Sequence, residues 1–92
     1  MTVVAVVNCV SPHLLSARDD AEEIAWFAVT VDQAREVEHS CPFCPGPGYE
    51  LCVLGARWFI RRTSRKGVHE TMRWRERTTR RLWAELFAGA AR

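Results

Sequence analysis

The sequence lacks several patterns that mark membrane proteins and common enzyme classes. No stretch approaches the roughly 20 apolar residues of a membrane-spanning helix, and the apolar run near the start covers only Val3 to Val7. There is no phosphate loop ending in Lys-Ser or Lys-Thr, no dinucleotide-binding fingerprint and no internal repeat. The histidines, which are His13, His39 and His69, stand in no nucleophile–base order that would indicate acyl transfer. We therefore expect a protein that is not an enzyme and does not enter a membrane.

Lysine is also scarce, since Lys66 is the single lysine among 13 basic residues. Residues 1–56 contain two basic and eight acidic residues, whereas residues 57–92 contain eleven basic and three acidic residues. The two parts carry net charges of −6 and +8, although the whole chain carries only +2. Such asymmetry indicates a positive surface that binds phosphate or an acidic protein. GC-rich codon usage is the alternative explanation for a basic part built almost entirely from arginine.

The chain of 92 residues, 48% hydrophobic and 26% charged, has the size and composition of one globular domain. We predict a single α+β domain over residues 1–92, with an acidic part at 1–40, a Cys/Pro/Gly loop at 41–48 and a basic part at 49–92. No basic segment precedes the first apolar run as it would in a secretory signal. A cytoplasmic location, in which cysteines stay reduced or bind metal, is therefore expected.

The acidic part contains several candidate elements. The β-branched run Val3–Val7 predicts a central strand. Alternation of side chains favours a strand within residues 19–31, and a helix there is the alternative. Thr30 and Gln33 fit a capping box, which predicts a short helix over residues 31–39 just before the cysteine loop.

The basic part is typical of an antiparallel β-meander over residues 49–74. Its three alternating segments are separated by Gly55-Ala56 and by a turn over residues 64–67. In the last segment we expect one face to cover the core and the other, basic face to lie in water. The first face carries Val68, Glu70, Met72 and Trp74, and the second carries His69, Thr71, Arg73 and Arg75.

A helix over residues 78–88 is the clearest element of the chain. Thr78 is its predicted N-cap, and Gly89 stands where a glycine commonly ends a helix. Apolar side chains recur at helical spacing and should cover the sheet. They are Leu82, Trp83, Leu86, Phe87 and Ala90.

The main chemical feature is the Cys-x-x-Cys pair formed by Cys41 and Cys44 in a loop rich in proline and glycine. Two thiolates at this spacing can bind one zinc ion. Cys52 follows on the next predicted strand and is the expected third ligand. The fourth ligand would be Cys9, His39 or His69. A purely structural role for Cys9 and Cys52 as buried side chains is the alternative.

The segment from Cys41 to Gly46, followed by a predicted strand from Tyr49, resembles the first knuckle of zinc-ribbon proteins. The resemblance covers about a dozen residues and implies a zinc ion at Cys41 and Cys44. Zinc ribbons supply a second pair of cysteines further along the chain, and this sequence contains no second Cys-x-x-Cys pair.

The same Cys-Pro-Phe-Cys segment is similar to the redox motif of glutaredoxins, which would imply thiol–disulfide exchange. In that family the first cysteine opens a helix, whose N-terminus stabilises the thiolate. Here Pro45, Gly46, Pro47 and Gly48 follow, and these residues do not continue a regular helix. Redox activity is therefore the third hypothesis for this chain.

Arginines interleaved with Trp58, Phe59 and Trp74 indicate a surface that contacts nucleic acid, although at least two of these rings are expected in the core. The candidate contacts are Arg57, Arg61, Arg62, Arg65, Lys66, Arg73, Arg75 and Arg77. The leading hypothesis is a small regulatory or nucleic-acid-associated protein with a basic strand face and a zinc ion. The alternative is a metal-free protein-interaction module, such as an adaptor, an inhibitor or a homodimer, that binds an acidic protein surface.

Overall fold

The computed structural model describes residues 13–29, 33–42, 44 and 46–92, which form one five-stranded antiparallel sheet and one helix. The strands are β1 (Phe27–Ala28), β2 (Arg35–His39), β3 (Gly48–Leu54), β4 (Arg57–Ser64) and β5 (Gly67–Glu70), and the helix is α1 (Glu76–Phe87). The strand order is β1-β5-β4-β3-β2. This arrangement confirms the predicted α+β class and the meander formed by β3, β4 and β5. The predicted strand at Val3–Val7 and the candidate ligand Cys9 lie outside the described residues.

Helix α1 begins at Glu76, two residues before the predicted cap at Thr78. Arg75 is the N-cap residue and makes no side-chain cap bond. The carboxylate of Glu76 instead lies in the first turn, where negative charge interacts favourably with the helix dipole. In the part of the chain that the structure describes, no helix is long and apolar enough to cross a membrane.

The end of α1 requires Gly89, as the sequence predicts. The Gly89 N–H donates to the Leu86 oxygen at 3.2 Å, and the Ala90 N–H donates to the Glu85 oxygen at 2.8 Å. This is the Schellman pattern, which places the residue after the helix in the left-handed region. Gly89 has a φ of +75°, and a Cβ there would overlap the carbonyl oxygen of Ser16. A side chain at position 89 is therefore excluded both by the backbone conformation and by the contact with Ser16.

The core lies between one face of the sheet and α1. Leu51 on β3 and Ile60 on β4 pack against Trp83 and Leu86 of the helix, and all four are buried. Burying a side chain of this size stabilises a fold by about 1.5–3 kcal/mol. The predicted apolar face of the helix therefore covers the sheet.

The short helix predicted over residues 31–39 is wrong, because Arg35–His39 form strand β2. The pairing of β2 with β3 has a bulge between Glu36 and Glu38, so Val37 is an extra residue in the ladder. Val37 packs against the core. A helix of two turns has little stability of its own in water, whereas pairing with β3 satisfies the backbone hydrogen bonds of this segment.

The face expected to cover the core is wrong within β5, because Glu70 pairs with Arg61 on the side of the sheet opposite Ile60 and α1. The alternation itself also fails after Glu70, where β5 ends. Glu70 pairs with Arg61, and Trp74 pairs with Trp58. The chain advances four residues from Glu70 to Trp74 but only three along β4 between the two partners, so this segment contains one extra residue. An extra residue reverses the faces of the side chains that follow it. Met72, expected in the core, is 57% exposed, and Thr71, expected in water, is 4% exposed.

The segment predicted as strand or helix within residues 19–31 begins with a turn at residues 19–20, and its regular pairing is confined to β1. The chain before β1 lies along the C-terminal tail, and backbone hydrogen bonds of 2.7 to 2.9 Å join the two. The bonds run from the N–H groups of Leu15, Arg18, Glu22 and Ile24 to the carbonyl oxygens of Phe87, Gly89, Ala90 and Arg92. This pairing holds the first described residues beside the end of α1.

Candidate metal centre and basic hairpin

The loop between β2 and β3 carries the Cys-x-x-Cys pair, and two hydrogen bonds close its neck. The Ser40 N–H donates to the Tyr49 oxygen at 2.9 Å, and the Tyr49 N–H donates to Ser40 Oγ at 3.0 Å. These bonds fix the chain on both sides of the loop. Cys41, the first loop residue, is 5% exposed, whereas Cys44 is exposed.

A third side chain reaches the loop from the start of the described chain. His13 precedes Leu14, which packs against the core. The N–H of Leu15 donates to the Phe87 oxygen at 2.9 Å, so this segment is fixed to the end of α1. The core and the helix end therefore position His13 independently of the cysteine loop.

The side-chain donor atoms of His13, Cys41 and Cys44 all lie within 4.8 Å of one another. Cys44 Sγ is 3.0 Å from His13 Nδ1, which is hydrogen-bonding distance. In a tetrahedral zinc site the Zn–S and Zn–N distances are about 2.3 and 2.0 Å, so neighbouring ligand atoms are about 3.5–3.8 Å apart. The two thiols and the imidazole could bind one zinc ion with a further ligand if Cys44 Sγ and His13 Nδ1 moved apart by about 0.5 Å.

The other predicted ligands that the structure describes lie away from this cluster. Cys52 is fully buried on β3, and burial raises the pKa of its thiol to about 12. A thiol of this pKa stays protonated at neutral pH and is a poor metal ligand. His39 ends β2 with its Nδ1 at 2.9 Å from the Ser40 oxygen, and His69 is half-buried on β5. The cluster therefore contains only two of the predicted ligands, Cys41 and Cys44.

The sequence interpretation assigned no role to His13. The missed signal is the spacing Cys9-x-x-x-His13, which resembles the spacing of ligand pairs in structural zinc sites. Together with Cys41-x-x-Cys44 it gives two ligand pairs on two segments of the chain. Cys9 lies outside the described residues, so its place in this ligand set is argued from the sequence alone.

A cavity of about 360 Å³ adjoins the cluster and is lined by His13, Cys41, Cys44 and the end of α1. Pro47 of the cysteine loop lines this cavity. It also lines a second pocket, at the turn between β4 and β5. The cysteine loop is thus a wall shared by two concave sites.

Two of the predicted nucleic-acid contacts, Arg61 and Arg73, bind Glu70, and we call these three residues the arginine clamp. Glu70 is 2% exposed, and its Oε2 accepts hydrogen bonds from Arg61 Nε at 3.0 Å and Nη2 at 2.8 Å. Its Oε1 accepts one from Arg73 Nη2 at 3.2 Å. The Arg73 guanidinium also lies 4.4 Å from the centre of the fully buried Phe59 ring. The clamp therefore belongs to the packing of the sheet.

Three other predicted contacts, Arg62, Arg65 and Lys66, form no ion pair with the acidic residues that the structure describes. We call them the hairpin cations. Arg65 and Lys66 are exposed in the turn between β4 and β5, and Arg62 is half-buried with its guanidinium 4.4 Å from the centre of the Trp26 ring. The remaining predicted contacts, Arg57, Arg75 and Arg77, are exposed at the start of β4 and of α1.

Two carboxylates meet on the sheet face that carries the clamp. Burial raises the pKa of Glu50, and a hydrogen bond and charge repulsion from Glu36 raise it further. The charges of Arg61 and His39 oppose this rise. Glu50 therefore holds its proton to a higher pH than an isolated glutamate does.

Comparison with known proteins gives no family for this chain, since no family model, no curated protein and no solved structure matches it. The function therefore has to be argued from the cysteine–histidine cluster and the basic hairpin.

Proposed function

We propose that this chain is a small, non-enzymatic binding protein in which a structural zinc ion holds the cysteine loop and basic residues contact nucleic-acid phosphate. The observation that carries the proposal is the cluster of His13, Cys41 and Cys44, whose donor atoms lie within 4.8 Å of one another. His13 and Cys41 are 28 residues apart in sequence, so a shared ion would link distant parts of the chain.

Zinc suits this donor set better than magnesium or calcium does. Thiolate and imidazole together are typical ligands of zinc, whereas magnesium and calcium require oxygen ligands. With Cys9 as the fourth ligand the site would be a closed Cys₃His site, which is a structural type. With water in that position the site would be open toward the adjoining cavity of about 360 Å³.

The loop itself explains why an ion would be useful. It contains Pro42, Pro45, Gly46 and Pro47, and such a segment forms few backbone hydrogen bonds of its own. The sheet and α1 have their own core, so the ion is not needed to form them. Its effect would be to hold the loop against the segment that carries His13.

Binding of phosphate is supported by the distribution of charge. Residues 57–92 carry a net charge of +8. Part of this charge is neutralised by Glu70 within the arginine clamp, but the hairpin cations have no acidic partner among the described residues. Positive charge that the fold does not neutralise is available to attract a polyanion.

Metal content tests the proposal directly. The protein is purified without added metal, and its mass is measured under native conditions before and after treatment with a strong chelator. We expect about one zinc ion per chain, as the single cluster implies. Cys44→Ser should abolish zinc binding, whereas Cys52→Ser, which also removes one thiol, should leave it intact. A metal-free wild type, or equal loss in both variants, would contradict the zinc site.

The role of Cys9 is tested separately. If Cys9 is the fourth ligand, Cys9→Ser should lower the zinc affinity strongly. The zinc ion of the wild-type protein should then have no bound water or small anion that can be exchanged. Unchanged affinity in Cys9→Ser would instead indicate an open, three-ligand site of the kind found in zinc enzymes.

Thiol–disulfide exchange is the second candidate, and the contact between Cys44 Sγ and His13 Nδ1 at 3.0 Å favours it. An imidazole that takes the thiol proton leaves a thiolate, the reactive form. Cys44 would attack a substrate disulfide and release one substrate thiol. Cys41 would then attack Cys44, forming the Cys41–Cys44 disulfide and releasing the second thiol, so the chain loses two electrons to the substrate.

Reduction of a peptide disulfide separates the two candidates. The redox candidate requires turnover that disappears in Cys44→Ser and Cys41→Ser. Our proposal expects no turnover, because zinc-bound thiolates are protected from exchange, and also expects the two thiols to become reactive only after chelation.

A further inference from the structure

A second pocket lies between the β4–β5 turn and the cysteine loop, and its volume is about 490 Å³. Arg62, Ser64, Arg65 and Lys66 line it from the hairpin, and Gly46 and Pro47 line it from the loop. The lining thus contains three basic residues and no acidic residue. A concave site with charge of one sign concentrates ligands of the opposite charge.

Five of the twelve described arginines have an acidic partner, whereas the cations of this pocket have none in the described ranges. Arg80 binds Glu38 at 2.9 Å and Glu76 at 2.7 Å, and Arg92 binds Glu23 at 2.6 Å. None of Arg62, Arg65 and Lys66 has such a partner in the described ranges. Their mutual repulsion is therefore uncompensated by the protein.

Buried side-chain nitrogens without a hydrogen-bond partner lie on and beside Arg62. The buried side-chain nitrogens that lack a partner within the described residues are Arg62 Nε, Trp26 Nε1 and His69 Nδ1. Arg62 stacks on Trp26 at 4.4 Å and is the cross-strand partner of His69. Buried polar atoms are nearly always paired in folded proteins. Of these three atoms only Arg62 Nε belongs to a residue that lines the pocket, and the Arg62 side chain also interacts with Tyr49.

Ser64 adds a neutral donor to the same pocket. Its Oγ accepts a hydrogen bond from the Lys66 N–H at 3.2 Å, which leaves the hydroxyl hydrogen for another acceptor. A phosphate group supplies several acceptor oxygens, and guanidinium groups bind it in a planar, two-bond geometry. A carboxylate offers fewer oxygens than this set of donors can use.

We infer that this pocket binds a phosphate group of a nucleic-acid strand, held by Arg62, Arg65, Lys66 and the Ser64 hydroxyl. The inference rests on the proposed phosphate-binding function and gives it a location. A phosphodiester carries one negative charge, and its neighbours along the strand can reach the exposed Arg65 and Lys66. Contacts of this kind bind many sequences alike and weaken as salt concentration rises.

The loop wall connects this pocket with the metal cluster. Gly46 and Pro47 follow Cys44 by two and three residues, and Pro47 lines both concave sites. Loss of the ion would release this wall while leaving the hairpin in place. Phosphate binding should therefore weaken, rather than disappear, when zinc is removed.

The test measures binding of a fluorescently labelled 20-nucleotide single strand by anisotropy, at several salt concentrations, on the full chain with zinc bound. The pocket variant is Arg65→Glu with Lys66→Glu, and the matched control is Arg35→Glu with Arg81→Glu, at two arginines that neither line the pocket nor belong to the predicted contacts. Both variants reverse two exposed charges. The control residues lie in β2 and in α1, so neither belongs to the hairpin that forms the pocket.

We expect the pocket variant to lose at least about tenfold in affinity at low salt and to reduce the slope of log affinity against log salt by about 1.4, which is two contacts at 0.7 each. The control should lose less than about threefold, since charge away from the contact acts only through screened solvent. Equal urea midpoints for both variants and the wild type check the fold, and Arg65→Gln with Lys66→Gln repeats the test with neutral side chains.

Any other result would contradict the pocket, the proposed function or the nucleic-acid source of the phosphate. Equal losses in both variants, or a larger loss in the control, would overturn the pocket while leaving nucleic-acid binding in place. No binding of single strand or duplex by the wild type would overturn the proposed function together with the pocket. Displacement of the strand by micromolar inorganic phosphate or pyrophosphate would overturn the nucleic-acid source and assign the pocket to a small phosphate ligand.

Discussion

Arg61 and Arg62 are neighbours on β4, but the sheet places them in different surroundings. The Arg61 side chain is 11% exposed and shares the buried Glu70 with Arg73. Arg62 lies over Trp26 and has no acidic partner among the described residues. The positive charge of this half of the chain is thus of two kinds. Arg80, Arg92 and the arginines of the clamp are paired with acidic residues, whereas the hairpin cations, Arg57, Arg75, Arg77 and Arg81 have no acidic partner among the described residues. Counting charges along the sequence does not separate these two kinds.

The largest expected effect is the loss of stability when the arginine clamp is broken. Glu70→Gln keeps the shape of the side chain but removes the negative charge between Arg61 and Arg73. We expect a loss of about 3 kcal/mol in the free energy of unfolding, because breaking a buried pair leaves uncompensated charge. Urea unfolding measures it. Nucleic-acid affinity should stay within about twofold, since the hairpin cations remain.

Glu76→Gln is the control for this prediction. It also removes a carboxylate from an arginine, Arg80, at 2.7 Å, but the two side chains are 41% and 51% exposed and Arg80 keeps its bond to Glu38. Exposed pairs of this kind contribute about 0–1 kcal/mol. A loss in Glu70→Gln as small as that in Glu76→Gln would mean that the clamp does not support the fold.

The next effect concerns the metal. Zinc bound to the folded chain at about 100 times its dissociation constant would stabilise the chain by about 2.7 kcal/mol. A chelator should lower the free energy of unfolding by an amount of this order in the wild type and by nothing in Cys44→Ser. Thermal unfolding with and without chelator measures both. Equal sensitivity of the two proteins would place the metal elsewhere.

A smaller effect separates the loop wall from the rest of the fold. Gly46 has a φ of +95° and Gly55 a φ of +63°, and a Cβ would meet no atom within 4 Å at either position. An alanine with a positive φ lowers the free energy of unfolding by about 1–2 kcal/mol. Gly46→Ala and Gly55→Ala should therefore lower stability alike. Only Gly46→Ala should weaken nucleic-acid binding, because only Gly46 lines the pocket. Loss of binding in Gly55→Ala would contradict this assignment.

The smallest effect concerns the carboxylate pair on the clamp face. The pKa of Glu50 is raised in the fold, so its contribution to stability is fully present below the pKa of the unfolded chain and is lost as pH rises through the folded pKa. Glu50→Gln removes this loss. We expect it to be more stable than the wild type by about 0.5 kcal/mol at pH 7 and equal below about pH 4. Urea midpoints across pH measure the difference, and a wild type that is more stable at pH 7 would contradict it.

Local patterns in the sequence were sufficient for the meander and for α1. Tight turns at Gly55 and Gly67, and apolar residues at helical spacing up to Gly89, specify these elements without reference to distant residues. Strand β2 was missed, because its extended form depends on pairing with β3 rather than on its own residues. The extra residue after Glu70 was missed for a similar reason, since nothing local distinguishes it from a regular strand.

The candidate site was predictable only in part. Cys41 and Cys44 followed from their spacing, but the third member of the cluster, His13, is brought in by the pairing of its segment with the end of α1. Cys52 has the side chain of a metal ligand, but alternation along β3 places that side chain in a buried position away from the cluster. Which arginines remain without an acidic partner likewise depends on where Glu70 lies in the fold.

The most direct test of the account is the affinity of one protein sample for the single strand before and after zinc is removed. We expect the affinity for the single strand to fall about tenfold when zinc is removed, since the loop wall of the pocket is released. The circular dichroism of the sheet and helix should be retained. We expect no such fall in affinity in the variant Arg65→Glu with Lys66→Glu, whose pocket no longer binds phosphate. Equal affinity with and without zinc, or unfolding of the whole domain on its removal, would contradict the account.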